Sequence, residues 1–144
     1  ERAPALERFY AKWQSEPLVV DKWFAVQATS RLRCALEDVK RLAAHPAFDI
    51  RNPNKVYSLI RAFCGNFVRF NAADGGGYAF AADGIIEIDR LNPQVASRVA
   101  RAFDRWKKFD AGRQAHARAA LLRVRDADGL SADVGEIVGK ALSG

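Results

Sequence analysis

Apolar residues recur at helical spacing along nearly the whole chain, and no stretch alternates apolar and polar positions as a half-buried strand would. Ser15-Glu16-Pro17 opens a helix with proline in its first turn, where a backbone N–H has no partner to lose. Val19, Val20, Trp23, Phe24 and Gln27 carry that helix to about Thr29. Leu32, Ala35, Leu36, Val39, Leu42 and Ala43 then follow the i, i+3, i+4, i+7 rule of one buried face. His45-Pro46 ends this second run, because the residue before a proline is pushed out of the α region. Asn52-Pro53 caps a third helix with Val56, Leu59, Ile60 and Phe63 turned inward. Further helices are predicted over residues 76–90, 93–107, 111–125 and 131–142, and Glu1 to Arg8 read as the inside of another. The fold class is all-α, with about eight helices.

The pattern repeats. Asp49-x-x-Asn52-Pro53 leads to Arg61-Ala62-Phe63, and Asp89-x-x-Asn92-Pro93 leads to Arg101-Ala102-Phe103, every matched residue offset by 40. Helical repeats of about 40 residues characterise HEAT- and armadillo-type solenoids, whose helix pairs stack to share a core. A HEAT/armadillo-like α-solenoid is therefore expected, with an ordinary helical bundle as the alternative. Residues 1–144 are read as a single helical domain.

Composition narrows the function classes. The chain has 144 residues, 23 Lys and Arg against 17 Asp and Glu, a net charge of +6, and no methionine. Its lack of an initiating methionine fits a segment of a longer chain. No apolar run reaches the roughly 20 residues of a membrane span. A basic surplus with three tryptophans raises nucleic-acid binding. Yet the cations are spread over nearly every helix and often stand near acids, as in Glu37/Arg41, Asp104/Lys108 and Arg125/Asp126. The run from Arg113 to Arg125 alternates with alanine like a solvated face, and Trp13, Trp23 and Trp106 have core spacing. A solvated basic surface is the favoured reading, with a free-standing basic HEAT-like module for nucleic acid or a protein partner as the alternative.

Candidate chemistry is sparse. Cys34 and Cys64 lie in apolar helical contexts and read as buried small hydrophobes rather than a disulfide. His45 at a helix end and His116 in an Ala/Arg-rich helix read as surface residues. No His-x-x-x-His or Cys-x-x-Cys pair and no nucleophile elbow occurs, so no catalytic residue and no metal ligand is assigned. Asp74-Gly75-Gly76-Gly77-Tyr78 lacks the Gly-Lys-Ser/Thr of a phosphate loop and reads as a tight turn, with glycine at positive φ and Asp74 accepting helix N–H bonds.

Several stretches together carry a family resemblance. They are Asp21-Lys22-Trp23-Phe24-x-x-Gln27-Ala28-Thr29-Ser30, Asn52-Pro53-Asn54 with Ser58-Leu59-Ile60-x-Ala62-Phe63, and Asp74-Gly75-x-Gly77-Tyr78-x-Phe80. Asn92-Pro93-Gln94-Val95-Ala96-Ser97-Arg98, Lys108-Phe109-Asp110, Arg113-Gln114 and Leu130-Ser131-x-Asp133 follow. In this order and spacing the chain resembles the C-terminal helical domain of the bacterial aminopeptidase N family of zinc metallo-aminopeptidases. The resemblance implies a cytoplasmic parent enzyme that removes N-terminal residues from peptides. It places zinc and the His-Glu-x-x-His motif in an upstream catalytic domain; that motif does not occur here. It implies that this segment packs on the catalytic domain of the same chain, encloses the substrate cavity and controls access, is silent in isolation, holds no cofactor, and needs neither nucleic acid nor membrane.

Two residues follow from the resemblance as cavity-lining candidates. Arg98 stands at the edge of the apolar stripe formed by Val95, Val99, Ala102, Phe103 and Trp106, and from periodicity alone it reads as a solvated or salt-bridged arginine. The family places an arginine at this motif position facing the cavity, where it can hold a substrate carbonyl or carboxylate. Tyr57 occupies a position where relatives can carry a second basic residue; its hydroxyl could line the cavity instead. An exposed apolar surface around Phe9, Tyr10 and Trp13 is also expected, where missing parts of the parent would pack.

Overall fold

The computed structural model describes residues 2–30 and 35–143. Cys34 and Leu32, both expected to be buried, lie outside the described residues. Helices, helical turns and short connections account for the described residues, with no strand among them. They gather into two compact units, residues 1–66 and 67–144.

The first unit is built around α2 (Pro17–Ala28), which packs on α1 (Arg2–Trp13), α3 (Ala35–Ala43) and the Asn-Pro helix. Glu16 is the extended residue that starts α2, with Pro17 at its first position as expected. The Asn-Pro helix begins as α4 (Pro53–Val56), widens into a π turn over Tyr57–Arg61, and closes as α5 (Ala62–Cys64). Phe24, Val39, Val56, Leu59 and Phe63 are fully buried between these helices. Asn66 ties the end of α5 to the end of α2 by donating to the carbonyls of Ala28 (3.0 Å) and Ser30 (2.6 Å). Arg41 pairs with the buried Asp38 at 2.9 Å, where the sequence suggested Glu37.

The second unit is built around α7 (Gly76–Asp89), which packs on α6 (Phe67–Phe70), α8 (Pro93–Ala100) and α9 (Ala111–Arg125). Gly75 has φ +79°, and a Cβ there would lie 2.5 Å from the His116 ring. Asp74 Oδ1 accepts from the Gly76 N–H at 2.8 Å, so the Gly-rich segment is the turn and helix start the sequence indicated. A Cβ on Gly77 would meet the Phe70 carbonyl oxygen at 2.3 Å, which is why α6 and α7 can approach so closely. The closing helix, α10 (Ala132–Ser143), packs on α8 and α9. Its start is held by Asp89, which accepts from the Ser131 N–H (2.9 Å) and hydroxyl (2.5 Å), while Ser131 Oγ accepts from Val134.

One expected helix is interrupted. Residues 93–107 form α8 and then two 3₁₀ turns, Arg101–Phe103 and Trp106–Lys108. Phe103 and Trp106 are both buried, and 3₁₀ winding brings residues three apart into line. The Trp106 indole N–H also reaches the Ala141 carbonyl of α10 at 2.9 Å, a bond that sequence periodicity could not reveal.

Candidate functional site

Tyr57 sits where the Asn-Pro helix of the first unit changes its winding. Asn52 Oδ1 accepts from the Asn54 N–H at 3.0 Å and Pro53 takes the first helical position. Lys55 is drawn inward: its Nζ donates to Asp21 Oδ1 (2.6 Å) and to the Pro17 carbonyl (3.2 Å), and lies 5.8 Å from the Phe24 ring centre. That ammonium is therefore a buried strut between α4 and α2. Tyr57 follows, half-buried, at the first position of the π turn. The Arg61 guanidinium, exposed one turn later, rests 5.4 Å above its ring. Arg61 was missed by sequence reasoning; its i, i+4 spacing from an aromatic residue was the available signal. Local π winding is frequent at functional positions, since it turns side chains out of regular helical register.

Arg98 sits on α8 of the second unit. Asn92 caps this helix, its Oδ1 accepting from the Val95 N–H at 3.2 Å, and Val95, Ala96, Val99 and Ala100 point into the core. Arg98 lies on the exposed side, followed at helical spacing by exposed Arg101 and Arg105. The two candidates are not equivalent in the repeat: the position matching Tyr57 is Ser97, and the one matching Arg98 is Ser58.

Other titratable groups are structural. Among the described residues no three His, Cys, Asp or Glu side chains come together as metal ligands, so this donor set does not fit a zinc ion. Cys64 is buried, and burial pushes its thiol up to about 12, far from a reactive thiolate. His45 is not the surface residue its helix-end position suggested. It is half-buried, with Tyr10 edge-on at 4.7 Å and Trp23 at 5.4 Å between ring centres, and its Nδ1 accepts from the Ala47 N–H at 3.0 Å. Burial lowers its pKa. His116 is exposed and lies against Gly75. No helix among the described residues is long and apolar enough to cross a membrane.

An apolar cleft of about 360 Å³ lies between α1 and α2 in the first unit, lined by Ala5, Leu6, Phe9, Lys22, Trp23 and Val26. The Trp23 indole N–H donates to the Leu6 carbonyl at 2.9 Å and pins the two helices together. Phe9 and Trp13 are partly exposed, as expected, with the Lys12 ammonium 5.3 Å from the Trp13 ring centre. Trp13 therefore departs from the core position its spacing suggested, whereas Trp23 and Trp106 are buried. Tyr10 also departs from expectation: it turns inward and lies 4.8 Å from Trp23 between ring centres. The reason is helical geometry, since Tyr10 shares the Leu6 face that α2 covers, while Phe9 and Trp13 share the next face round.

A family model described as "Domain of unknown function (DUF3458_C) ARM repeats" matches residues 1–143. The armadillo-type all-α architecture agrees with the helical repeat expected above. Aminopeptidase N of Escherichia coli is 42% identical over 143 residues, which is 99% of this chain and 16% of the relative. Aminopeptidase N of Caulobacter vibrioides is 41% identical over 142 residues, 98% of this chain and 16% of the relative. A crystal structure of Legionella pneumophila aminopeptidase A in complex with aspartic acid superimposes with a TM-score of 0.91 at 37% identity, covering 96% of this chain and 16% of that one. The chain thus spans about 16% of the length of the relatives it matches.

Proposed function

The chain belongs to the ARM-repeat family DUF3458_C, and from that membership we propose that it is the C-terminal helical domain of a zinc-dependent aminopeptidase. In the parent it encloses the substrate cavity and controls access to it. The observation that carries this reading is the near-complete match of the chain to one short stretch of much longer aminopeptidases. On this reading hydrolysis, and the zinc with it, belongs to the catalytic domain of the same cytoplasmic polypeptide, as the family resemblance implies. The partners are that catalytic domain and the peptide substrates.

Within this division of labour the domain contributes contacts to the peptide away from the scissile bond. Arg98 keeps its charge at any working pH and can donate two parallel bonds to a carboxylate or one to a carbonyl. Tyr57, with Arg61 resting on its ring, offers a hydroxyl beside a guanidinium. Both contacts hold substrate without taking part in bond breaking.

Two measurements test the reading. The 144-residue chain, supplied with zinc and an aminoacyl chromogenic substrate, should turn over no faster than zinc alone; sustained turnover would place catalysis inside this segment. In the full-length parent, Arg98→Ala should raise KM about tenfold for longer peptides with little change in kcat, as expected for one charge-assisted hydrogen bond. Unchanged kinetics across a series of peptide lengths would remove Arg98 from the cavity.

A further inference from the structure

The tripeptide Ala-Asp-Gly occurs three times in the second unit, as Ala73-Asp74-Gly75, Ala82-Asp83-Gly84 and Ala127-Asp128-Gly129. An aspartate followed by glycine has a chemistry of its own. The glycine nitrogen can close a five-membered ring on the aspartate side-chain carbon, and glycine has no Cβ to obstruct the closure. The local sequence is the same at all three places, so the fold alone separates them.

Two of the three are locked. The Asp83 carboxylate pairs with Arg123 at 2.7 Å, and the buried Gly84 lies inside α7, where its N–H belongs to the helical ladder. Asp74 accepts from the Gly76 N–H at 2.8 Å, and the Gly75 N–H donates to the Ala72 carbonyl at 3.1 Å. Ring closure at either place would first have to break these bonds. The third copy, in the turn between α9 and α10, is open. Asp128 and Gly129 are both exposed. Among the described residues the Asp128 carboxylate has no donor and the Gly129 N–H no acceptor. Gly129 has φ +72°, with open space where a side chain would stand.

We propose that Asp128 is a modification site, the Ala-Asp-Gly copy that converts to isoaspartate in the folded protein. The Gly129 nitrogen, losing its proton, attacks the side-chain carbon of the protonated Asp128 carboxyl. A C–N bond forms, the C–OH bond breaks and one water leaves. The succinimide then takes up one water. Opening at the side-chain carbon restores aspartate; opening at the main-chain carbonyl breaks the original peptide bond and routes the chain through the side chain. No oxidant or cofactor is consumed. The product carries a free α-carboxylate, which a carboxyl methyltransferase specific for isoaspartate methylates from S-adenosylmethionine. It also lengthens the backbone just ahead of Ser131, where Asp89 holds the start of α10. The proposal rests on this local geometry and not on the peptidase reading, so either can fail without the other.

The test is to age the full-length protein at neutral pH, both folded and in guanidinium chloride. Its chymotryptic peptides, which separate the three sites, are then labelled with that methyltransferase. In guanidinium chloride the three should label alike. In the folded protein the Asp128 peptide should gain label at least about tenfold faster than the other two, which must first open locally. Asp128→Glu, whose ring would need six members, should lose this label and leave the other peptides unchanged. An Asp128 peptide that labels no faster than the Asp74 and Asp83 peptides in the folded protein overturns the proposal. So does a label on this turn that survives Asp128→Glu.

Discussion

Asn52 and Asn92 stand forty positions apart, each capping a helix with proline at its first position, and the burial that follows is the same in both units. Lys55–Val56 match Val95–Ala96, Leu59–Ile60 match Val99–Ala100, and Phe63 matches Phe103, all turned inward. What these residues touch is not the same. Asp49 is an exposed carboxylate, 52% accessible, that holds Arg51 of its own loop. Asp89 is 6% exposed and fastens the start of α10. Lys55 forms a buried ion pair where the second unit has a valine. Asn66 and Trp106, also forty apart, each donate to carbonyls near a helix end, one through an amide and the other through an indole. The first copy loosens into a π turn and the second tightens into 3₁₀ turns. A shared local pattern sets where a helix starts and which side faces in; the neighbour across the interface sets the partner.

The largest expected effect comes from making the first unit like the second. Lys55→Val strands the largely buried Asp21 carboxylate and should cost about 3 kcal/mol in a urea titration, as for the loss of one partner of a buried pair. A loss near zero would show that the pair is dispensable. The matched aspartates come next. Asp89→Ala leaves the Ser131 N–H and hydroxyl without their acceptor and should cost about 2 kcal/mol. Asp49→Ala should stay within about 0.5 kcal/mol, as for an exposed position. Equal effects would mean that burial has not divided the two copies. The shared feature should respond alike: Asn52→Ala and Asn92→Ala should each cost about 1 kcal/mol as lost helix caps.

The smallest effect belongs to the first unit alone. Burial lowers the pKa of His45, and its neutral Nδ1 accepts the Ala47 N–H. The unfolded chain thus takes up this proton more readily than the folded one. The contribution of neutral His45 is present above the unfolded value of about 6.5 and is lost as pH falls through the lower folded value. The urea midpoint should therefore fall more steeply between pH 7 and pH 5 than in His45→Asn; parallel slopes in the two proteins would exclude the effect.

Much of the fold was legible because helical periodicity, Asn-Pro starts and a glycine turn are local signals. The spans of α2, α7, α9 and α10 fall within a residue or two of their expected limits. Gly75 has the positive φ its turn required. The break after Ala100 was not legible, since it depends on Phe103 and Trp106 being wanted by the same interior and on the Ala141 carbonyl of α10. Nor was the inward turn of Tyr10, or the burial of His45, because both follow from where α2 lies against α1 and α3. Of the candidate site, Tyr57 and Arg98 came from motif order, whereas the Arg61 guanidinium over Tyr57 emerged only from the side-chain geometry.

The sequence by itself determined an all-α repeat chain, most of its helix starts and the inward faces of the two Asn-Pro helices, because backbone capping and 3.6-residue periodicity act over a few neighbouring residues. The tertiary structure decided which polar groups became struts, which apolar groups stayed in the open, and where a helix changed its winding. Those outcomes depend on hydrogen-bond partners and packing surfaces tens of residues away: Lys55 with Asp21, Asp89 with Ser131, Trp106 with Ala141. A buried donor or acceptor must find its partner wherever the fold brings one, and no local pattern records that address.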